Sequence, residues 1–298
     1  MPLGAHMSIA GGLDQALVRG MKLGCQTIQL FTKNRNRWQA KPLTRAEVEH
    51  FRRAQRESKI RPLLAHTSYL INLASTEPKI YGRSLSALKE EMERTRFLRI
   101  PYLVLHPGSH GGSGEREGLR RIARSLDRIL REMEGPLPMI LLETTAGQGS
   151  SLGWRFEHLA EIRDRSRFPD RLGFCFDTCH VFAAGYDLGS PSNYESTLSR
   201  FLGLIGIQQL KAFHLNDSQK GLGSRVDRHQ HIGRGALGKL PFYLLLKDDR
   251  FSHLPMILET PKGREGSQDL DEINLKVLRD LSRRQTPPQQ RRDRGERD

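Results

Sequence analysis

Six acidic or imidazole residues, His66, His106, Glu143, Asp177, His214 and Glu259, each stand at or near the end of a short apolar run. Any one alone would read as a hydrogen-bonded core residue. Six at equivalent places, brought to one mouth, form a costly cluster of charge unless cations neutralise it. Mixed imidazole and carboxylate donors suit zinc, manganese or iron, whereas an oxygen-only set points to magnesium. The lack of cysteine in the set favours a catalytic metal site over a structural one, and the donors are too many for one ion. A further group lies close by. His180 follows Asp177 in the run Asp177-Thr178-Cys179-His180, and Asp227-Arg228-His229 sets a carboxylate and an imidazole two residues apart. In an extended segment those two share a side, so His180, Asp227 and His229 form a candidate third site, with His231 competing.

The elements that must position these residues can be read from the apolar runs: 3–6, 27–31, 62–66, 102–106, 139–143, 172–177, 210–215 and 255–259. Strand side chains alternate faces, so the residue two before each candidate ligand shares its face. Those residues are Leu64, Val104, Leu141, Cys175, Ala212 and Ile257, an expected interior layer beneath the polar ring. The residues between, Ala65, Leu105, Leu142, Phe176, Phe213 and Leu258, are also apolar, as packing against outer helices requires. Helical patterns separate the runs. One spans 44–59 and opens with a Thr44-x-x-Glu47 capping box; another spans 115–133 and is apolar at Leu119, Ile122, Leu126, Ile129 and Leu130. Eight strands alternating with helices predict an α/β chain of the (β/α)8 TIM-barrel class, a single domain over residues 1–282, with its active site at the C-terminal mouth. An open doubly wound sheet is the alternative. Residues 283–298 read as a basic, disordered tail.

The chain has 298 residues and a formal net charge of +14, with only three cysteines. Residues 283–298 hold six arginines against three acids, so most of the excess belongs to the body and favours a polyanionic partner. Three cysteines exclude a disulfide framework, and Cys175 and Cys179 read as packing residues. No apolar run reaches membrane-spanning length, and the N-terminal residues lack a signal-peptide pattern, so a cytoplasmic protein is expected. Gly147-x-Gly149 and Gly221-x-Gly223 match neither a Walker A loop nor a dinucleotide fingerprint, so no nucleotide cofactor is assigned.

Several motifs together resemble endonuclease IV, the zinc-dependent apurinic/apyrimidinic endonuclease family of base-excision repair. They are Gly4-Ala5-His6-Met7-Ser8, His66-Thr67-Ser68-Tyr69-Leu70-Ile71-Asn72-Leu73, His106-Pro107-Gly108-Ser109-His110, Glu143-Thr144-Thr145-Ala146-Gly147-Gln148-Gly149, Asp177-Thr178-Cys179-His180, His214-Leu215-Asn216-Asp217-Ser218 and the stretch from Gly223 to His229. The resemblance runs from Gly4 to Thr260. It implies a (β/α)8 barrel with three Zn2+ per chain, Mn2+ or Fe2+ substitution being left open. His66 and His106 would hold one zinc, with Glu143 bridging to a second that Asp177, His214 and Glu259 complete. His180, Asp227 and His229 would hold the third, leaving His231 outside. Glu143 and Glu259 take the catalytic roles. The implied reaction cuts the phosphodiester 5′ to an abasic site in double-stranded DNA through a hydroxide shared by two zincs, leaving a 3′-hydroxyl and a 5′-deoxyribose phosphate.

Tyr69 matches an aromatic that wedges into the duplex. Lys33, Asn34, Arg35, Arg37, Trp38 and Arg228 are the other candidate DNA contacts, with Asn36 standing where some members carry a wedging arginine. A monomer, associated with the nucleoid in a prokaryote, is expected. Two alternatives remain: a metal-dependent sugar isomerase or epimerase on the same barrel, and a non-catalytic damaged-DNA binding protein.

Overall fold

A computed structural model describes residues 1–288. Eight parallel strands close into a barrel: β1 (Leu3–His6), β2 (Thr27–Phe31), β3 (Leu63–His66), β4 (Tyr102–Leu105), β5 (Met139–Glu143), β6 (Leu172–Asp177), β7 (Leu210–His214) and β8 (Met256–Leu258). Each strand pairs with its neighbours in chain order, and β8 returns to β1 through Ala5 beside Leu258. Helices separate the strands, among them α1 (Asp14–Lys22), α2 (Arg45–Ser58), α3 (Pro78–Phe97), α4 (Glu115–Glu132), α5 (Phe156–Arg165), α6 (Thr178–Ala183), α7 (Pro191–Ile205) and α8 (Leu240–Lys247), and α9 (Leu270–Arg283) follows β8. The open sheet is thereby excluded. Among the described residues no helix is long and apolar enough to cross a membrane.

The strands form where the chain is apolar on both faces, because both faces are buried. Leu64, Val104, Leu141, Cys175, Ala212 and Ile257 make a separate cluster inside the barrel, each with no exposed area. Ala65, Leu105, Leu142, Phe176, Phe213 and Leu258 belong to the larger cluster between strands and helices. Truncating a residue of the inner layer such as Leu141 to alanine costs about 2–5 kcal/mol, since the closed ring cannot collapse onto the void. The barrel also needs Gly4. A Cβ there would stand 1.6 Å from the Thr27 carbonyl oxygen, so only glycine lets β1 lie against β2.

The helix boundaries follow from caps. Thr44 accepts from the Glu47 amide at 3.2 Å while the Glu47 carboxylate accepts from the Thr44 amide at 2.8 Å, closing the capping box that starts α2. On α4 the expected apolar stripe is buried from Leu119 to Leu130. Several expected bounds shift by a residue. Pairing stops at Leu105, His214 and Leu258, one residue sooner than the apolar runs, so His106 and Glu259 lie just beyond their strands. At the other end of the chain, α9 continues through Arg283, the first residue of the expected tail. Residues 289–298 lie outside the described residues.

Candidate metal centre

The strand ends and the segments that follow them bring the nine candidate ligands together. Three sets of donor atoms, each mutually within 4.8 Å, are His66–His106–Glu143, Glu143–Asp177–His214–Glu259 and His180–Asp227–His229. Glu143 belongs to two of them. Its Oε2 stands 3.1 Å from His66 Nε2 and 3.0 Å from His106 Nε2, while its Oε1 stands 2.8 Å from His214 Nδ1. Glu259 Oε2 faces the same His214 nitrogen at 3.2 Å. In the third set, Asp227 Oδ1 lies 3.2 Å from His180 Nε2 and 3.5 Å from His229 Nε2. His231 points elsewhere, to the Asn274 amide at 3.0 Å.

Local structure fixes which ring nitrogen is free. His66 Nδ1 donates to the Thr67 carbonyl at 2.7 Å, His180 Nδ1 to the Thr144 carbonyl at 2.9 Å, and His229 Nδ1 to the Glu259 carbonyl at 3.1 Å. Each bond leaves Nε2, the nitrogen that would ligate a metal, facing the carboxylates. His214 is reversed: its Nε2 donates to Gln29 Oε1 at 2.8 Å, so Nδ1 faces the acids. Imidazoles oriented in this way are the arrangement metal ligands require. Asp177 divides its work similarly. Oδ1 caps α6 by accepting from the His180 amide at 2.8 Å, and Oδ2 accepts from Asn216 Nδ2 at 2.7 Å.

Electrostatics point to the same chemistry. Burial opposes ionisation of Glu143, yet His214 and His106 hold its carboxyl well below the usual range. Burial likewise opposes charging His180, but Asp177 and Asp227 outweigh it and raise its pKa well above the ordinary value. Metal-free, the raised pKa values of His180 and His214 favour protonated rings whose charge stands in for that of cations. The donor set therefore fits divalent ions: mixed nitrogen and oxygen, lone pairs convergent, and an excess of negative charge to neutralise. Cys179 lies within reach of Asp177 and His229, but burial pushes its thiol up to about 12, so it stays protonated and packs. The Cys175 thiol is likewise pushed up to about 12 in the inner layer.

The candidate DNA contacts divide. Tyr69 is 52% exposed, with its ring 5.3 Å from that of His66 and 5.6 Å from that of His106, so it stands over the ligands. Asn34, Arg35, Asn36, Arg37 and Arg228 are exposed. The Arg35 guanidinium lies 5.9 Å from the Tyr69 ring centroid. Lys33 is a correction. It is buried, with its ammonium donating to the Trp38 carbonyl at 2.7 Å and lying 3.6 Å from the Glu91 carboxylate, so it braces the 33–38 loop from beneath and cannot meet a phosphate. Trp38 is half-buried and packs on the core with Arg83 against its ring, so only part of it is open to a partner.

Positioning residues escaped the sequence reading. Gln29 donates to Glu259 Oε1 at 2.5 Å while holding His214, and His6 Nδ1 stands 3.0 Å from Gln29 Nε2. Burial lowers the His6 pKa to about 4, so it is neutral near pH 7. A signal for both was present: His6 closes β1, and Gln29 is the only amide in the run Thr27 to Phe31. Asp217 organises the following loop by accepting from the amides of Ser218, Gly233, Gly235 and Leu237. Replacing Gln29 with leucine is expected to weaken metal binding by about 10–100-fold, because both His214 and Glu259 lose their anchor. Metal titration followed calorimetrically checks this; unchanged affinity would remove Gln29 from the site.

The chain matches the family model described as Xylose isomerase-like TIM barrel over residues 19–281. It is 51% identical over 280 residues to a protein named "Probable endonuclease 4" from Chloroflexus aggregans, covering 94% of this chain and 97% of that one. Among solved structures it is similar to endonuclease IV from Thermus thermophilus, with 34% identity, a TM-score of 0.84, and coverage of 94% and 98%. A D-tagatose 3-epimerase-like protein, 18% identical with a TM-score of 0.70 and coverage of 94% and 97%, shares the fold.

Proposed function

Because the chain belongs to the endonuclease IV family of xylose isomerase-like TIM barrels, we propose that it hydrolyses the phosphodiester 5′ to abasic sites in duplex DNA, leaving a 3′-hydroxyl and a 5′-deoxyribose phosphate. The observation that carries the reading is the two-sided contact of Glu143, whose oxygens serve two ligand sets at once. That is the geometry a bridging carboxylate needs and one that a single-metal site does not. Three zinc ions held by the nine residues would supply a hydrolytic nucleophile at neutral pH and positive charge against the phosphoryl oxygens. The chain's own groups do the rest. Gln29 and Asn216 hold Glu259 and Asp177 in place, so no ligand must reorganise when the phosphate arrives. Tyr69 presents an exposed ring beside the ligands, placed to stack where a base is missing. Exposed Arg35, near the Tyr69 ring, exposed Arg228, between Asp227 and His229, and exposed Arg37 suit phosphate contacts.

The test is a short duplex with one synthetic abasic site, incubated with the zinc-loaded protein and with chelator. Incision on the 5′ side that chelator abolishes is expected. Binding without incision would replace the enzyme by a damage-binding protein. Metal analysis separates the epimerase alternative, since about three equivalents suit the nuclease and one or two an isomerase. A second expectation concerns charge. Affinity for undamaged duplex should fall steeply and linearly on a logarithmic salt scale, as counterions released by phosphate contacts are recovered. A flat response would show that the net charge of +14 is not used on phosphates.

A further inference from the structure

The positive charge is not confined to the mouth. At the opposite end of the barrel a cavity of about 590 Å3 is lined by Arg52, Arg56, Arg61 and Arg99, with Gln55 beside them and Pro62, Leu63 and Pro101 as an apolar floor. No acidic residue lines it. Leu63 opens β3, whose other end carries His66, and Pro101 precedes β4, beyond whose far end stands His106. The cavity and the metal centre therefore lie at opposite ends of the same strands.

The four arginines are in different states. Arg52 is fixed: its Nε and Nη2 donate to the Phe97 carbonyl at 3.1 and 2.7 Å. Arg56, Arg61 and Arg99 are exposed, and none has a side-chain hydrogen bond, ion pair or ring contact among the described residues. Arg56 sits in the last turn of α2, where a cation is favoured by the helix dipole alone. Arg99 directly follows the C-cap of α3, where the same dipole favours a cation, whereas Arg61 lies three residues beyond α2 and has no such reason. Arg99 also holds a left-handed backbone with φ of 54°, a position that favours glycine. Like charges gathered without counter-charge around one concavity are relieved by an anion.

We propose that this cavity is a second nucleic-acid contact, which takes the phosphodiester backbone of a duplex segment other than the one at the metal mouth. A backbone fits better than a lone phosphate because the cations are held on three different elements: α2, the approach to β3 and the approach to β4. A duplex lying across the mouth cannot reach them, since the barrel stands between. One chain would then hold two segments at once and could pass from one to the other without release. The inference rests on the cavity lining and needs no incision.

The experiment counts duplexes per chain. Full-length zinc-loaded protein is mixed at low salt with an excess of labelled undamaged duplex of about 20 base pairs, and the complexes are resolved by sedimentation. Two duplexes are expected on the wild type and one on the triple variant Arg56→Gln, Arg61→Gln, Arg99→Gln. All three positions are exposed, so the fold should survive, and the variant's melting temperature checks this. The second duplex should be lost with salt about 40-fold between 50 and 200 mM, the loss that three phosphate contacts imply. Equal stoichiometry in the two proteins overturns the proposal. So does inorganic triphosphate binding that depends on the three arginines without any difference in duplex count, which would assign the cavity to a small anion. If the reading of the mouth were wrong instead, the counts would become one and none, and the difference between proteins would persist.

Discussion

Glu143→Gln should lower incision of an abasic duplex by about a hundred- to a thousandfold while leaving the barrel folded. The size follows from what is removed. A bridging carboxylate that sets two ligand sets side by side is the part of the site that holds charge where it develops, and such terms are worth about 10²–10³ singly. Glutamine keeps the shape but presents an NH2 in place of one oxygen. That group would face either the Nε2 lone pairs of His66 and His106 or the Nδ1 of His214, so one ligand set is lost whichever way the amide turns. The fold does not depend on it in the same way, because the inner layer beneath is entirely apolar. The check is incision rate, metal content and melting temperature measured together. Near-normal turnover would refute the bridging role. Lost activity with full metal content would point to a direct catalytic part instead.

Stripping the metals should abolish incision and also change how stability depends on pH. In the metal-free protein His180 and His214 are protonated against the facing carboxylates. For His180 burial opposes this but Asp177 and Asp227 prevail; for His214 burial opposes it but Cys175, Glu259 and Glu143 prevail. A raised imidazole pKa contributes stability that is complete below the unfolded value of about 6.5 and is lost as pH rises through the folded value. Glu143 and Glu259 are depressed, in spite of burial, chiefly by His214. Their contribution is present above about pH 4.5 and is lost as pH falls through their lowered folded values. The metal-free protein should thus be most stable between about pH 4.5 and 6.5 and weaken toward pH 8 and above. Bound ions act the other way, since ligands must be deprotonated and affinity rises with pH. At a thousandfold excess over Kd one such ion adds about 4 kcal/mol. Melting temperatures with and without chelator, taken from pH 5 to 8, should diverge as pH rises. Parallel curves would mean that the cluster does not exchange protons for cations.

The architecture was legible because barrel strands obey a period of two under double burial. Leu64, Val104 and Leu141 inside, with Ala65, Leu105 and Leu142 outside, follow from alternation alone once the strand ends are marked by His66, His106 and Glu143. Residues whose roles depend on a neighbour far along the chain were not legible. Lys33 sits in a polar, basic loop and reads as a phosphate contact, but Glu91, brought in by α3, draws its ammonium inward. Gln29 touches His214 and Glu259, 185 and 230 residues away, and although its place as the one amide of a buried apolar run marks it as unusual, nothing local says which side chains it holds.

By itself the sequence determined the class of fold, the end of the barrel where chemistry gathers and the kind of donors there, since each depends on residue type and on a period that a few neighbouring residues express. Only the tertiary structure decided which Glu143 oxygen meets which imidazole, which nitrogen of each ring is free, and that Arg56, Arg61 and Arg99 surround one cavity at the far end. Those are relations between side chains on different strands and loops. Closure of the barrel sets their distances, and no local pattern carries that information.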